Sequence, residues 1–297
     1  MSAEMDVVLH VGMSKAGSTT LQQEVFPRLE DLNVLGRKHP GEPLDSPLSL
    51  AMESLWLVDY RPGELRGLLE ERATERRMLV SEEVWTSPLR HETLAHLTRT
   101  ADRLAAEVPE AKVLLVTRRP ADLLVSCYSQ YVRTEGGTDS WRKFLQRTDI
   151  RTYDVASVCR LYEERFASFH VLLYEDMRNP ERFSEVLVGA LGSSTRPEEV
   201  ARWLASRHNI GMSPLFNYAE VAINRAIRTS QFNSPSPRLP FLDEYVRQRL
   251  RWANRKFNAR SWRVNQRLSA RRKRDAELAT RTFTYPPQAA RPVHSSR

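Results

Sequence analysis

Apolar and polar positions along the chain fall into two recurring patterns. Short continuous apolar runs lie at Val7–Val11, Asn33–Gly36, Met78–Ser81, Lys112–Thr117 and Phe169–Tyr174. Runs of this length and β-branched content read as strands, the most apolar of them as buried strands of a parallel sheet. Between them, apolar residues recur three and four apart, the spacing of a helix with one face on a core. That pattern predicts helices from Leu21 to Leu29, with Pro27 kinking or shortening the first, then over Leu48–Trp56, Glu64–Arg76 and Glu92–Val108. Pro120 suits the first position of the next helix, on which Leu123, Leu124, Cys127, Tyr128 and Tyr131 form one stripe and Ser126 falls off it. Further helices are expected over Ser140–Arg147, Tyr153–Phe166, 181–191, 197–205, 214–229 and 240–257. Strands alternating with helices predict an α/β fold, a central parallel sheet flanked by helices. We expect one domain over 1–263. From 264 to 297 arginine rises, apolar periodicity fades and Pro286-Pro287 follows, which predicts a flexible or loosely docked tail.

The first strand runs into the most informative stretch, Gly12-Met13-Ser14-Lys15-Ala16-Gly17-Ser18-Thr19-Thr20. A strand, a glycine-bounded loop and a helix build a phosphate cradle, because backbone N–H groups of the loop and helix start face an anion. Gly12 and Gly17 have the spacing of a nucleotide-triphosphate loop, but Ser18-Thr19 stands where that loop has Lys then Ser or Thr. The lysine lies inside the loop instead, at Lys15, and reaches different atoms. A second pair lies at the end of the fourth strand, where Arg118 is followed eight positions later by Ser126. An arginine at a strand end can fork onto a phosphate while a serine further along donates its hydroxyl.

The two stretches together resemble the donor motifs of the sulfotransferase family. Lys15, Gly17, Ser18, Thr19 and Thr20 match its 5′-phosphosulfate loop, with Ser14 in place of the usual proline and Ala16 in place of Thr or Ser. Those departures predict a less rigid loop with one hydroxyl fewer. Arg118, Pro120, Asp122 and Ser126 match its 3′-phosphate motif. Tyr174-Glu175-Asp176 and Arg207-His208-Asn209 resemble two further family runs. The resemblance implies a P-loop-like three-layer fold and 3′-phosphoadenosine 5′-phosphosulfate as co-substrate, held by Lys15, Ala16, Gly17, Ser18, Thr19, Thr20, Arg118 and Ser126. It implies sulfuryl transfer to a hydroxyl- or amine-bearing acceptor, with Lys15 stabilising charge on the leaving phosphate.

Such an acceptor needs a general base. The third strand delivers two adjacent carboxylates, Glu82 and Glu83, and the family's glycan and protein branches use a glutamate there. Strand alternation sends the two to opposite faces, and Glu83 is the favoured base. His91, His96 and His208 are rivals; His10, on the first strand, reads as a core residue supporting the loop.

Composition narrows the alternatives. The chain has 297 residues and 41% hydrophobic content, enough for a substantial core. No apolar run approaches a membrane span and the N-terminus carries no signal-peptide pattern, so a cytoplasmic location is expected. Cys127 and Cys159 have no metal-ligand spacing and read as reduced, buried thiols; no metal site is expected. The net charge of +8 invites a nucleic-acid partner, yet no zinc-finger or RNA-binding motif accompanies it. A P-loop kinase or NTPase is the alternative enzyme, weakened by the missing Walker lysine. A non-catalytic nucleotide-binding protein is the third reading.

Overall fold

The computed structural model describes residues 5–36, 42–73, 77–88, 93–133, 136–205, 217, 221 and 262–283. The helices expected over 214–229 and 240–257 lie outside them but for Asn217 and Val221, and His91, Arg207, His208 and Asn209 lie outside as well.

Five strands form one sheet: β1 (Val7–His10), β2 (Leu32–Leu35), β3 (Arg77–Ser81), β4 (Lys112–Thr117) and β5 (Ser168–Leu173). All are parallel, in the order β2-β3-β1-β4-β5. β1 is central because Val7, Val8 and Leu9 have no polar side to turn outward, and each is at most 1% exposed. In register, His10 stands beside Ser81 on one neighbour and Leu114 on the other. The chain leaves β1 toward β2 and leaves β4 toward β5, so the C-terminal ends of β1 and β4 flank a point where the winding reverses. Ligands of open parallel sheets collect at such a point.

The helices that follow in chain order are α1 (Ser18–Thr20), α2 (Pro47–Ser54), α3 (Glu64–Glu71), α4 (Leu94–Glu107), α5 (Pro120–Arg133), α6 (Trp141–Arg147), α7 (Val155–Glu163), α8 (Pro180–Leu191) and α9 (Pro197–Leu204). α1 continues as a π-helical turn over Leu21–Val25 and a 3-10 turn over Phe26–Arg28, where Pro27 ends it. α3 stops earlier than its pattern, at Glu71. Its start has no side-chain cap of its own. The buried carboxylate of Glu107, at the end of α4, accepts instead from Gly63 N–H (2.7 Å), Arg66 N–H (2.9 Å) and the Tyr60 hydroxyl (2.7 Å).

The chain divides into two compact units, one of Met1–Arg119, Arg151–His208 and Phe283–Arg297, the other of Pro120–Ile150 and Asn209–Thr282. The sheet belongs to the first. In the second, α5 packs against α10 (Trp262–Ala279), a helix where a flexible or loosely docked tail is expected. Its packing has a physical cause. Arg272 is 2% exposed, its guanidinium 5.0 Å from the centroid of the Tyr128 ring, and Ala276 is fully buried. Asp275 accepts from the Trp141 indole N–H at 3.1 Å, and Lys273 pairs with Asp122 at 3.9 Å. A basic helix docks here through one stacked arginine and one alanine, a face too narrow to show as apolar periodicity.

Candidate functional site

Beyond His10 the chain keeps bonding to β4: Val11 N–H donates to Leu114 C=O at 3.0 Å and Met13 N–H to Val116 C=O at 2.8 Å. The backbone then turns sharply at Lys15, whose φ of 70° is the one positive φ at a non-glycine among the described residues. A side chain in that region costs about 1–3 kcal/mol and is kept where the surroundings over-determine it. Lys15 is half-buried; Ala16 is buried, its N–H bonded to Met13 C=O at 3.1 Å. Gly17 follows at φ 93°, where a Cβ would meet Met177 Sδ at 2.9 Å and Tyr174 Cδ2 at 3.0 Å. A Cβ on Gly12 would collide with Ser18 Oγ and His10 Nε2. Both glycines are therefore favoured by close approach, and Gly17 also by its positive φ.

The N–H groups of Gly17, Ser18 and Thr19 have no acceptor among the described residues. Ser18 Oγ is also buried without a hydrogen-bond partner among them, while Thr19 and Thr20 are half-buried. Donors left unused among the described residues are what an anion would satisfy.

The loop is braced from β3. Ser14 Oγ donates to Ser87 Oγ at 2.7 Å, and Thr86 Oγ1 donates to Val11 C=O. The serine in place of proline thus ties the loop down through its hydroxyl, where the sequence predicts a less rigid loop. Glu82 N–H donates to His10 C=O at 3.0 Å, and Trp85 is fully buried with its indole N–H on Met52 C=O at 2.9 Å. The turn Glu83–Thr86 is therefore pinned against the loop from both ends. Within it Glu82 is 3% exposed, and its Oε1 caps the turn by accepting from Val84 N–H at 2.9 Å. Glu83 is half-buried.

Arg118, just past β4, reaches the same loop. Its Nη1 donates to Lys15 C=O at 3.4 Å, its guanidinium lies 4.7 Å from the Tyr174 ring centroid, and its buried Nε has no partner among the described residues. Tyr174 begins the 3-10 turn Tyr174–Arg178, whose Glu175 Oε1 accepts from Arg119 N–H at 3.1 Å. Burial raises the carboxyl pKa of Asp176 in that turn, against the pull of Arg182. Lys15, Ala16, Gly17, Ser18, Thr19, Thr20, Glu82, Glu83 and Arg118 thus share the first unit. Ser126, half-buried on α5, belongs to the second. His96 is half-buried in the first turn of α4.

Two features escape the sequence pattern. One is the Tyr174 ring under Arg118, hinted at only by the Tyr174-Glu175-Asp176 run. The other is a buried polar group behind the loop: His10 Nδ1 and Ser81 Oγ are 2.8 Å apart, and Gln22 Nε2 donates to Ser81 Oγ at 3.0 Å. A lone polar residue in an apolar strand is its only signal in the sequence.

No protein-family model matches this chain, and no curated protein matches it. Among solved structures it is similar to a sulfotransferase from Alicyclobacillus acidocaldarius, at 20% identity and a TM-score of 0.48, covering 78% of this chain and 100% of that one. It is also similar to mouse sulfotransferase SULT7A1 complexed with PAP, at 16% identity and a TM-score of 0.40, covering 69% of this chain and 66% of that one. Sulfotransferases are thus what this chain is similar to, and its chemistry is read from its own residues.

Proposed function

We propose that the protein is a sulfotransferase that moves a sulfuryl group from 3′-phosphoadenosine 5′-phosphosulfate to a hydroxyl or amine of an acceptor. The observation that carries this reading is Lys15. It stands at positive φ inside a glycine-bounded loop whose Gly17, Ser18 and Thr19 N–H groups have no acceptor among the described residues, and its carbonyl is held by a second cation, Arg118. A triphosphate loop with its lysine after the second glycine has a different arrangement.

In this reading the N–H groups of Gly17, Ser18 and Thr19, with the hydroxyls of Ser18, Thr19 and Thr20, bind the 5′-phosphosulfate, and Ala16 leaves room at the turn. Arg118 takes the 3′-phosphate together with Ser126, eight residues along the chain. The acceptor oxygen or nitrogen forms a bond to sulfur as the bond from sulfur to the bridging phosphate oxygen breaks. The electron pair stays on that oxygen, giving 3′,5′-bisphosphoadenosine. Lys15 and the loop donors stabilise the charge that gathers there, a contribution worth about 10²–10³ in rate per donor. The acceptor's proton passes to Glu83, while Glu82 holds the turn.

The test is selective stabilisation. The bisphosphate 3′,5′-bisphosphoadenosine should raise the melting temperature well above the effect of 5′-AMP, and Arg118→Ala should erase most of the difference. Incubating cell extract with labelled donor and identifying the labelled product by mass names the acceptor. Equal stabilisation by the two nucleotides, or turnover of ATP with magnesium in place of the sulfated donor, would overturn the assignment.

A further inference from the structure

The side chain of His10 is fully buried, and β1 ends on it directly behind the loop. Its ring meets Phe26 edge-on, with centroids 5.1 Å apart. Ser81 Oγ lies 2.8 Å from His10 Nδ1 and accepts from Gln22 Nε2 at 3.0 Å. Gln22 takes one of the two acceptor positions of the Ser81 hydroxyl, whose hydrogen has His10 Nδ1 within reach. When Ser81 donates to Nδ1, the imidazole carries its own hydrogen on Nε2. Nε2 borders the notch left by the missing side chain of Gly12, since a Cβ there would stand 2.7 Å from it. Ser18 Oγ borders the same notch from the other side, buried and without a partner among the described residues.

We infer that His10 is a positioning residue for the donor: with the 5′-phosphate bound, its Nε2–H bonds across the notch to the oxygen of Ser18 and turns the Ser18 hydrogen outward to the phosphate. Gln22 and Ser81 fix the imidazole tautomer, and the absence of a side chain at Gly12 keeps the space between His10 and Ser18 open. A hydroxyl that accepts a hydrogen bond from behind is a better-aimed and stronger donor in front. The inference rests on the donor-site reading and adds a residue to it that touches neither donor nor acceptor.

Two substitutions separate this role from a structural one. Glutamine places its amide near the position of Nε2 and gives up the bond to Ser81. Asparagine places its amide near Nδ1, keeps the Ser81 bond and loses the group facing Ser18. Binding of 3′,5′-bisphosphoadenosine is measured by calorimetry, with the ligand-free melting temperature of each variant as the folding control. His10→Asn should weaken binding about ten- to hundredfold, as loss of a charge-assisted bond does, whereas His10→Gln should stay within about threefold of the parent. Ser18→Ala should weaken binding similarly, and adding His10→Asn to it should weaken binding little further, because both break one chain of bonds. A reversed order, with Asn binding like the parent and Gln failing, would overturn the inference, as would full additivity with Ser18→Ala. Lys15→Ala separates the two levels. If it weakens binding while the His10 pattern is reversed, only the role of His10 fails. If it leaves binding unchanged, the donor-site reading fails and this inference with it.

Discussion

The guanidinium of Arg118 lies over the ring of Tyr174, 4.7 Å from its centroid, and the same ring packs against Gly17 of the loop. One aromatic side chain thus touches the loop expected to hold the 5′-phosphosulfate and orients the cation expected to hold the 3′-phosphate. Tyr174→Phe keeps the ring face and should bind 3′,5′-bisphosphoadenosine like the parent. Tyr174→Ala should weaken binding by about 0.5–2 kcal/mol, the worth of a cation–π contact, by calorimetry. Equal loss in the two variants would place the effect in the hydroxyl instead of the stack.

The carboxylates of Glu82 and Glu83 should separate by substitution. Glu83→Gln should leave bisphosphate binding intact and lower turnover by about 10²–10⁴, the range for a positioned base. Glu82→Gln keeps an oxygen for Val84 N–H and should leave turnover near the parent. Glu82→Ala loses that cap and should cost about 1 kcal/mol of stability by denaturant melt. A dead Glu82→Gln would move the base one residue back.

Asp139 gives the second unit an acid-sensitive contact. Burial disfavours its charge, but Lys143 and Arg147, each 3.0 Å away, and the Tyr131 hydroxyl at 3.2 Å outweigh that and hold its pKa below the ordinary 3.8. A carboxylate depressed in the folded state stabilises above its unfolded pKa, and the stabilisation is lost as pH falls through the folded value. Asp139→Asn should therefore lower the melting temperature at neutral pH. The gap to the parent should close as pH drops below the ordinary carboxylate range. A gap that persists unchanged in acid would show that shape, not charge, matters at this position.

Neither thiol should react in the native protein. Cys127 and Cys159 are buried thiols, and burial pushes the Cys159 thiol up to about 12. A disulfide reagent at about pH 8 should label neither cysteine before denaturation and both afterwards, since the thiolate is the reactive form. Rapid labelling of the folded chain would mean that α5 or α7 opens.

The middle of the sheet was legible in the sequence because β1, β3 and β4 are largely buried on both faces. Val7–His10 and Lys112–Thr117 have few polar positions, the pattern of a central strand in a parallel sheet. The turn at Lys15 between Gly12 and Gly17 was legible because loop chemistry is local: glycine spacing along the chain marks where the backbone can turn and approach closely. What tertiary structure alone decided is which residues meet across strands. His10 and Ser81 are 71 positions apart and become neighbours only through the register of β1 with β3. Ser14 finds Ser87 in place of the stiffness of a proline, and Arg118 finds Tyr174. The helix Trp262–Ala279 was hidden for a related reason. Its buried face depends on Arg272 stacking on Tyr128, and an arginine reads as solvent-exposed until the ring that covers it is in place.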